Sequence, residues 1–257
     1  MSRLGSPTAA PDQITYLDTA AATPVGLDYK RRLVEALDVR TGQTVVDLGC
    51  GPGTDLAALA DAVGPDGTVF GVDLEPRMVA EASRRHADRP NVEVRAGDVH
   101  ELPLADASVD RIRVDRVLQH LSDPARVFAE ARRALRPGGF FGMAEPDWDT
   151  LAVADEDVAT SRRFARFTAG RVRNATIGRQ LVGLATRAGF RVRSVDPMAV
   201  LFRDFDTADQ ILGLRRNTAR AVQAGELAET DGRAWLHRLE TGPVLAGFTF
   251  YLVTAEA

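Results

Sequence analysis

The residues of this chain best suited to chemistry are acids and glycines set close together. Asp47 is followed by Gly49, Gly51 and Gly53 at alternate positions in Thr44–Asp55, T-V-V-D-L-G-C-G-P-G-T-D. Bare glycine backbone lets a ligand approach closely. The turn amides can face a carboxylate, while the acid holds a cation or orients the loop. A dinucleotide site would read G-x-G-x-x-G. Here the sixth residue counted from Gly49 is Thr54, and counted from Gly51 it is Leu56. The pattern D-x-G-x-G-x-G suits a ligand with an ammonium group better than one with a pyrophosphate. Asp73 stands twenty residues past Gly53, the distance at which an acid ends the second strand and accepts the ribose hydroxyls. Asp98, in Gly97–Asp98–Val99, stands where an acid accepts the exocyclic amine of adenine. One such acid is often just a solvated strand end. Three at successive strand ends point to a nucleoside that carries an amino acid.

A second group would serve the reaction. His120, in Val117–Leu118–Gln119–His120–Leu121 after Asp115, is the candidate general base. Glu145, at the neighbouring strand end, is the candidate to orient that imidazole or to act alone. Tyr16, Trp148, Phe164 and Phe167 are candidates for an acceptor pocket. The i,i+3 spacing of Phe164 and Phe167 also fits ordinary helix packing. Arg162, Arg163, Arg166, Arg171 and Arg173 cluster together. They read as a solvated helix face ahead of a site recruiting an acidic acceptor.

These residues need strands ending beside glycine turns, and the pattern supplies them. Strands are expected at 44–48, 68–73, 92–96, 109–115 and 140–145. Helices are expected at about 53–63, 76–87 and 123–135, with Arg136–Pro137–Gly138–Gly139 breaking the last. Such alternation means βαβ units and a parallel sheet with helices on both faces. Ile14–Leu37 reads as helix interrupted near Thr23–Pro24, and 1–13 as loosely ordered. Residues 147–175 read as a mostly helical insertion. A helix at 178–188, a strand at 190–195, an extended 199–205, helices over 207–240 and a strand over Val244–Thr254 complete the chain. The reading is a single domain over 1–257, with an N-terminal helical lid at 1–40 and a cofactor-binding core at 41–146. Helical cap segments at 147–177 and 206–241 cover the carboxyl ends of the strands, where open α/β sheets bind ligands.

Composition narrows the partners. A formal net charge of −4, from 32 basic and 36 acidic residues, argues against an electrostatic nucleic-acid binder. Lys30 is the only lysine; the other basic residues are arginine. The single cysteine, Cys50, excludes an internal disulfide and any multi-cysteine metal site. With no apolar leader and no run of membrane-spanning length, the expectation is a cytoplasmic protein with no membrane insertion.

The segments VVDLGCGPGTD, GTVFGVDLEPRM, VEVRAGDVHELPLADASVDRI and RVLQHLSDPARVFAEARRALRPGGFFGMAEPDW resemble the class I S-adenosylmethionine-dependent methyltransferases. The likeness is to the small-molecule branch, with its ubiquinone/menaquinone and natural-product enzymes. It runs continuously over about 40–148. It implies a Rossmann-like α/β fold, a seven-stranded mainly parallel sheet with an antiparallel last strand, plus the helical cap insertions. It implies S-adenosyl-L-methionine as cofactor. Gly49, Gly51 and Gly53 would line its methionine part with Asp47 at the turn, and Asp73 would take the ribose with Leu74 and Met78 beside it. Asp98 and Val99 would hold adenine, and Asp115 and Arg116 would face the reacting centre. Pro52 stands where the family often has Thr or Ser. Catechol-type members hold a metal with acids after the fourth and fifth strands. Glu145–Pro146–Asp147 departs from their Asp-Asn, so no metal is expected. The strand-four motif of nucleic-acid base methylation is absent, so no nucleic-acid substrate is expected. The resemblance implies a small-molecule acceptor, with bacterial secondary metabolism as the expected setting, and a monomer or homodimer is expected. The alternatives are a quinone-type C-methyltransferase, a cyclase that retains the cofactor, and a non-catalytic cofactor-binding subunit.

Overall fold

A computed structural model describes residues 12–257; the start expected to be loosely ordered lies, for residues 1–11, outside the described residues. Two helices open it, α1 (Gln13–Ala22) and α2 (Pro24–Ala36). They part at Thr23, whose extended backbone and hydroxyl cap Gly26 N, with Pro24 at the first helical position. The core then alternates: β1 (Thr44–Leu48), α3 (Leu56–Val63), β2 (Thr68–Asp73), α4 (Pro76–Arg85), β3 (Val92–Ala96), β4 (Val109–Asp115), a 3₁₀ turn at Leu118–His120 and α5 (Pro124–Ala134). The remainder is β5 (Leu135–Val153), α6 (Val158–Ala169), α7 (Ile177–Arg187), β6 (Arg191–Phe202), α8 (Phe205–Leu212), α9 (Leu214–Gln223), α10 (Glu229–Thr241) and β7 (Ala246–Glu256).

The seven strands form one sheet in the order β3-β2-β1-β4-β5-β7-β6. β1 runs parallel to β2 and β4, and β7 runs antiparallel to both β5 and β6. This is the Rossmann-like sheet with its reversed last strand. The order reverses at β1, so the ends of β1 and β4 part to leave a crevice. Four of the five residues of β1 are buried, as a strand covered on both faces must be. Phe128, Phe141 and Leu181 anchor one apolar layer, and Leu33, Phe164, Trp235 and Phe250 anchor another. A smaller cluster of Leu56, Leu59 and Val63 seats α3.

The structure departs from the pattern at both ends of β5 and in β6. Leu135 and the break expected at 136–139 belong to β5, Leu135 pairing with Val109. β5 does not stop at 145 but continues to Val153, so the helix of the insertion begins only at Val158. The cause is β7, which pairs along that whole length out to Val153↔Ala246 with an irregularity between Asp147 and Ala152. Thr150 Oγ1 accepts the Thr249 N–H there at 2.7 Å. Long-range pairing overrode the local pattern. Likewise 190–195 and 199–205 are not separate pieces. They form the single strand β6, paired with β7 from Arg191 to Phe202.

Candidate active site

The glycine turn carries the site because its backbone is left-handed three times, with φ of +66° at Gly49, +55° at Gly51 and +80° at Gly53. A Cβ on Gly49 would lie 2.4 Å from Val117 Cγ2, so no side chain fits between the turn and the loop after β4. Gly49 N and Cys50 N donate to Val72 O, and Gly51 N donates to Asp73 Oδ2 at 2.8 Å. Asp73 Oδ1 accepts Glu75 N. The acid at the end of β2 therefore ties the turn to its own strand.

Beside this turn lies a cavity of about 530 Å³, within the usual range for a small-molecule site. It brings together Gly49, Gly51, Asp73, Leu74, Met78, Asp98, Val99, Asp115, Arg116 and His120 from the expected residues. Leu74 is 69% exposed at its edge, while Met78 and Val99 are buried. Asp98 is held below the usual carboxylate range, chiefly by the His100 N–H, and faces His100 Nδ1 at 2.6 Å. Gly53 and Asp47 do not line this cavity. Gly53 turns its carbonyl to His86 Nε2 at 2.8 Å. Asp47 borders only a recess of about 40 Å³ beneath the turn.

That recess sits on a buried charge network. Arg113, 1% exposed, contacts Asp47 at 3.1 Å, Asp55 at 2.8 Å and Asp115 at 2.7 Å. Lys30 pairs with Asp55 and, at 2.9 Å, with Asp115, and Tyr29 donates to Asp115 at 3.1 Å. Burial pushes Asp47 up to about 7 against the pull of Arg113. Burial opposes charge at Asp115 too, but Lys30, Arg116 and Arg113 hold that carboxyl well below the usual range. Lys30 was not among the expected site residues. Its being the only lysine was the one available signal.

Arg116 adopts φ +57°, a conformation that costs a non-glycine residue on the order of 1–3 kcal/mol. Its backbone is fixed by donation to Ala144 O at 2.9 Å, and its Nε lies 3.3 Å from Asp115. This strained residue borders both the cavity just described and a second one.

The second cavity, about 380 Å³, is lined by Tyr16, Leu17, Arg116, Gln119, His120, Trp148, Phe248 and Phe250 among others. Trp148 Nε1 donates to Gln119 Oε1 at 2.7 Å, and its ring stacks on Phe248 at 4.8 Å between centroids. Arg171, Arg216, Asn217 and Arg220 complete the wall. Leu17, Arg116 and His120 line both cavities. Helix α1 lies across the glycine turn, with Leu17 reaching Gly51. It is tied to α4 by the Asp18–Arg85 pair at 2.7 and 2.8 Å.

Three further expectations need correction. Glu145 neither orients His120 nor reaches a cavity. It is fully buried, and its Oε1 accepts Val117 N at 2.8 Å and Leu118 N at 2.6 Å, so it holds the loop that carries His120. Burial raises it to about 8. Phe164 is also in the core, stacked on Trp235 at 4.8 Å, because the buried side of α6 faces α10. Phe167 lines neither cavity and lies beneath Arg171 at 5.7 Å. Asp147, the other acid at the end of β5, pairs with Arg179 through both of its oxygens. His120 remains accessible, and burial, then the charge of Arg116, lowers its pKa below 6.5.

Known proteins share this sequence pattern and fold. A family model described as a methyltransferase domain matches residues 40–189. An uncharacterised 37.1 kDa protein in transposon TN4556 of Streptomyces fradiae is 51% identical over 250 residues, covering 97% of this chain and 72% of the relative. A demethylmenaquinone methyltransferase of Staphylococcus aureus is 32% identical over 136 residues, covering 53% of this chain and 56% of the relative. Among solved structures, an S-adenosylmethionine dependent methyltransferase from Mesorhizobium loti shares the fold with a TM-score of 0.56 and 24% identity, over 88% of this chain and 96% of that one.

Proposed function

The chain belongs to the S-adenosylmethionine-dependent methyltransferases, and from that premise we propose that it methylates O, N or C of a small organic acceptor in bacterial secondary metabolism. The observation that carries this reading is the pair of cavities meeting at Leu17, Arg116 and His120. One has a glycine cradle and carboxylates at its strand ends, which fits a cationic nucleoside. The other has aromatic walls.

S-adenosylmethionine, when bound, supplies a methyl group on a positively charged sulfur. In this reading Asp73 takes the ribose hydroxyls, Asp98 and Val99 the adenine, with Leu74 and Met78 along the adenosine. Gly49, Gly51 and Asp115 hold the amino-acid end. Lys30 and Arg113 keep Asp115 ionised and in place. The charge at sulfur disperses during transfer, so excluding water and aligning the acceptor supply most of the acceleration. Leu17 and the aromatic wall exclude water. Arg116, fixed in its left-handed conformation, sets the boundary between the two ligands.

His120 is the candidate base. A pKa lowered by burial keeps the imidazole neutral and able to accept a proton at physiological pH. Glu145 acts one step removed, by holding the loop that presents it.

The test is transfer of labelled methyl to a panel of phenols, indoles, amines and their carboxylated analogues. We expect transfer to at least one class. His120→Asn should lower turnover by roughly 10²–10⁴-fold with donor affinity unchanged, and should remove the acid limb of the pH–rate profile, which lies below pH 6.5 in the parent. An unchanged profile in the variant removes His120 from the reaction. Donor binding with no methyl lost to any acceptor overturns methyl transfer in favour of a retained-cofactor role.

A further inference from the structure

We propose that the acceptor is an anion, bearing a carboxylate or a phosphate that Arg171, Arg216 and Arg220 receive, with an aromatic or apolar body against Trp148 and Phe248. The proposal rests on the reading of the second cavity as the acceptor's.

The argument begins with charge that lacks a counter-charge. None of the residues lining this cavity is Asp or Glu. Many arginines elsewhere pair with acids, although others such as Arg162, Arg163 and Arg166 do not among the described residues: Arg215, beside Arg216 in sequence, pairs with Asp209 and Glu240 at 2.8 Å each, and Arg238 pairs with Asp155 at 2.7 Å. Arg171, Arg216 and Arg220 have no carboxylate partner among the described residues, and residues 1–11 contain no acid. This local excess arises in a chain whose net charge is −4, so it does not follow from composition.

The charges of Arg171 and Arg216 reach Arg220. Burial, then the positive charges of Arg171 and Arg216, lowers the pKa of Arg220. Grouped like charges are unfavourable in a partly desolvated site unless an anion offsets them. The wall also carries unmet hydrogen-bonding capacity. Arg216 Nε and Thr168 Oγ1 are both buried without a partner, which is a standing cost unless a ligand supplies one.

Position supports the same conclusion. Arg216 and Arg220 lie one turn apart on α9, and Arg171 follows α6. Their groups therefore converge from two elements on the space beside Trp148 and Phe248. Asn217, between them in sequence, is fixed by its donation to Leu212 O at 2.8 Å. Guanidinium forks match the planar carboxylate and the phosphate alike, while the stacked Trp148 and Phe248 offer a flat apolar face.

The test titrates 2-naphthoate, 2-naphthyl phosphate and the neutral 2-naphthamide into the full chain, with S-adenosylhomocysteine titrated separately. We expect one or both anions to bind on the order of tenfold or more tightly than the amide, with a preference that shrinks as salt rises. Their relative affinities distinguish carboxylate from phosphate. Arg216→Gln and the exposed Arg171→Gln should each reduce that preference several-fold while leaving S-adenosylhomocysteine affinity unchanged. Should Arg216→Gln fail to fold, Arg171→Gln carries the test. Equal binding of amide and anions, or an anion preference untouched by Arg171→Gln and Arg216→Gln, overturns the proposal. Anion binding at these arginines without S-adenosylhomocysteine binding upholds it and overturns the donor reading instead.

Discussion

The cavities proposed for the donor and for the acceptor meet at Leu17, Arg116 and His120, yet they differ in charge and in how the chain builds them. The donor side presents Asp73, Asp98 and Asp115 beside a bare glycine turn. The acceptor side presents arginines and aromatic rings and no acid. Apart from α1 and Arg173, the donor side comes from the span between Gly49 and Ser122. The acceptor side draws on α1, the loop after β4, β5, the α6–α7 loop, α8, α9 and β7. A cationic donor and an anionic acceptor would each meet the opposite charge. The boundary between them is held by a strained arginine and a loop that Glu145 clamps from below.

Arg113→Leu should have the largest effect. It leaves Asp47 and Asp55 short of a buried partner, a change that costs about 3–5 kcal/mol. Denaturant unfolding should show the loss, and donor binding should fail before acceptor binding does. If both cavities fail together, they form one cooperative unit and the contrast holds in charge only.

Gly49→Ala comes next. The new methyl meets Val117 at 2.4 Å on a left-handed backbone, so donor affinity should fall by about 100-fold, equivalent to roughly 2.7 kcal/mol. Calorimetric titration of S-adenosylhomocysteine would measure it. Binding of 2-naphthoate should change little. A loss as large as the donor's would mean that the turn shapes both sites through Val117.

A third prediction concerns pH. Glu145 is raised to about 8 in the folded chain against an ordinary 4.5, so the folded protein keeps a proton that the unfolded chain releases. Stability should therefore decline as pH rises through that window. Asp47, raised to about 7, contributes in the same direction over its lower part. Glu145→Gln keeps the acceptor for Val117 and Leu118 but cannot ionise. Its thermal midpoint should fall less steeply between pH 5 and 8 than that of the parent. Equal slopes in the two proteins would mean that Glu145 is not the group that titrates.

How legible each region was follows from its construction. The strand ends, the glycine turn and the placement of Asp73 and Asp98 beside it were readable because a βα unit is local: β-branched residues, then glycines, then a helix within about twenty residues. Leu17, Arg216 and Arg220 were not readable, since Arg215 and Arg216 look alike in sequence and only tertiary contacts pair one and leave the other free. Glu145 misled for a related reason. A strand-end acid carries the same letter whether it faces a ligand or turns inward to two backbone amides.

By itself, then, the amino-acid order determined the βαβ core and its crevice, because these follow from short-range periodicity and from backbone freedom at glycine, while the reversed last strand and the methyl donor were implied by the resemblance of its motifs to a known family. Tertiary structure decided the buried network around Arg113, the inward turn of Glu145 and Phe164, the extension of β5 along β7 and the arginine wall. Each of these depends on which distant segments share a space. The cost of burying a charge or an unpaired polar group is set there by the neighbours present, and not by the residue's own identity.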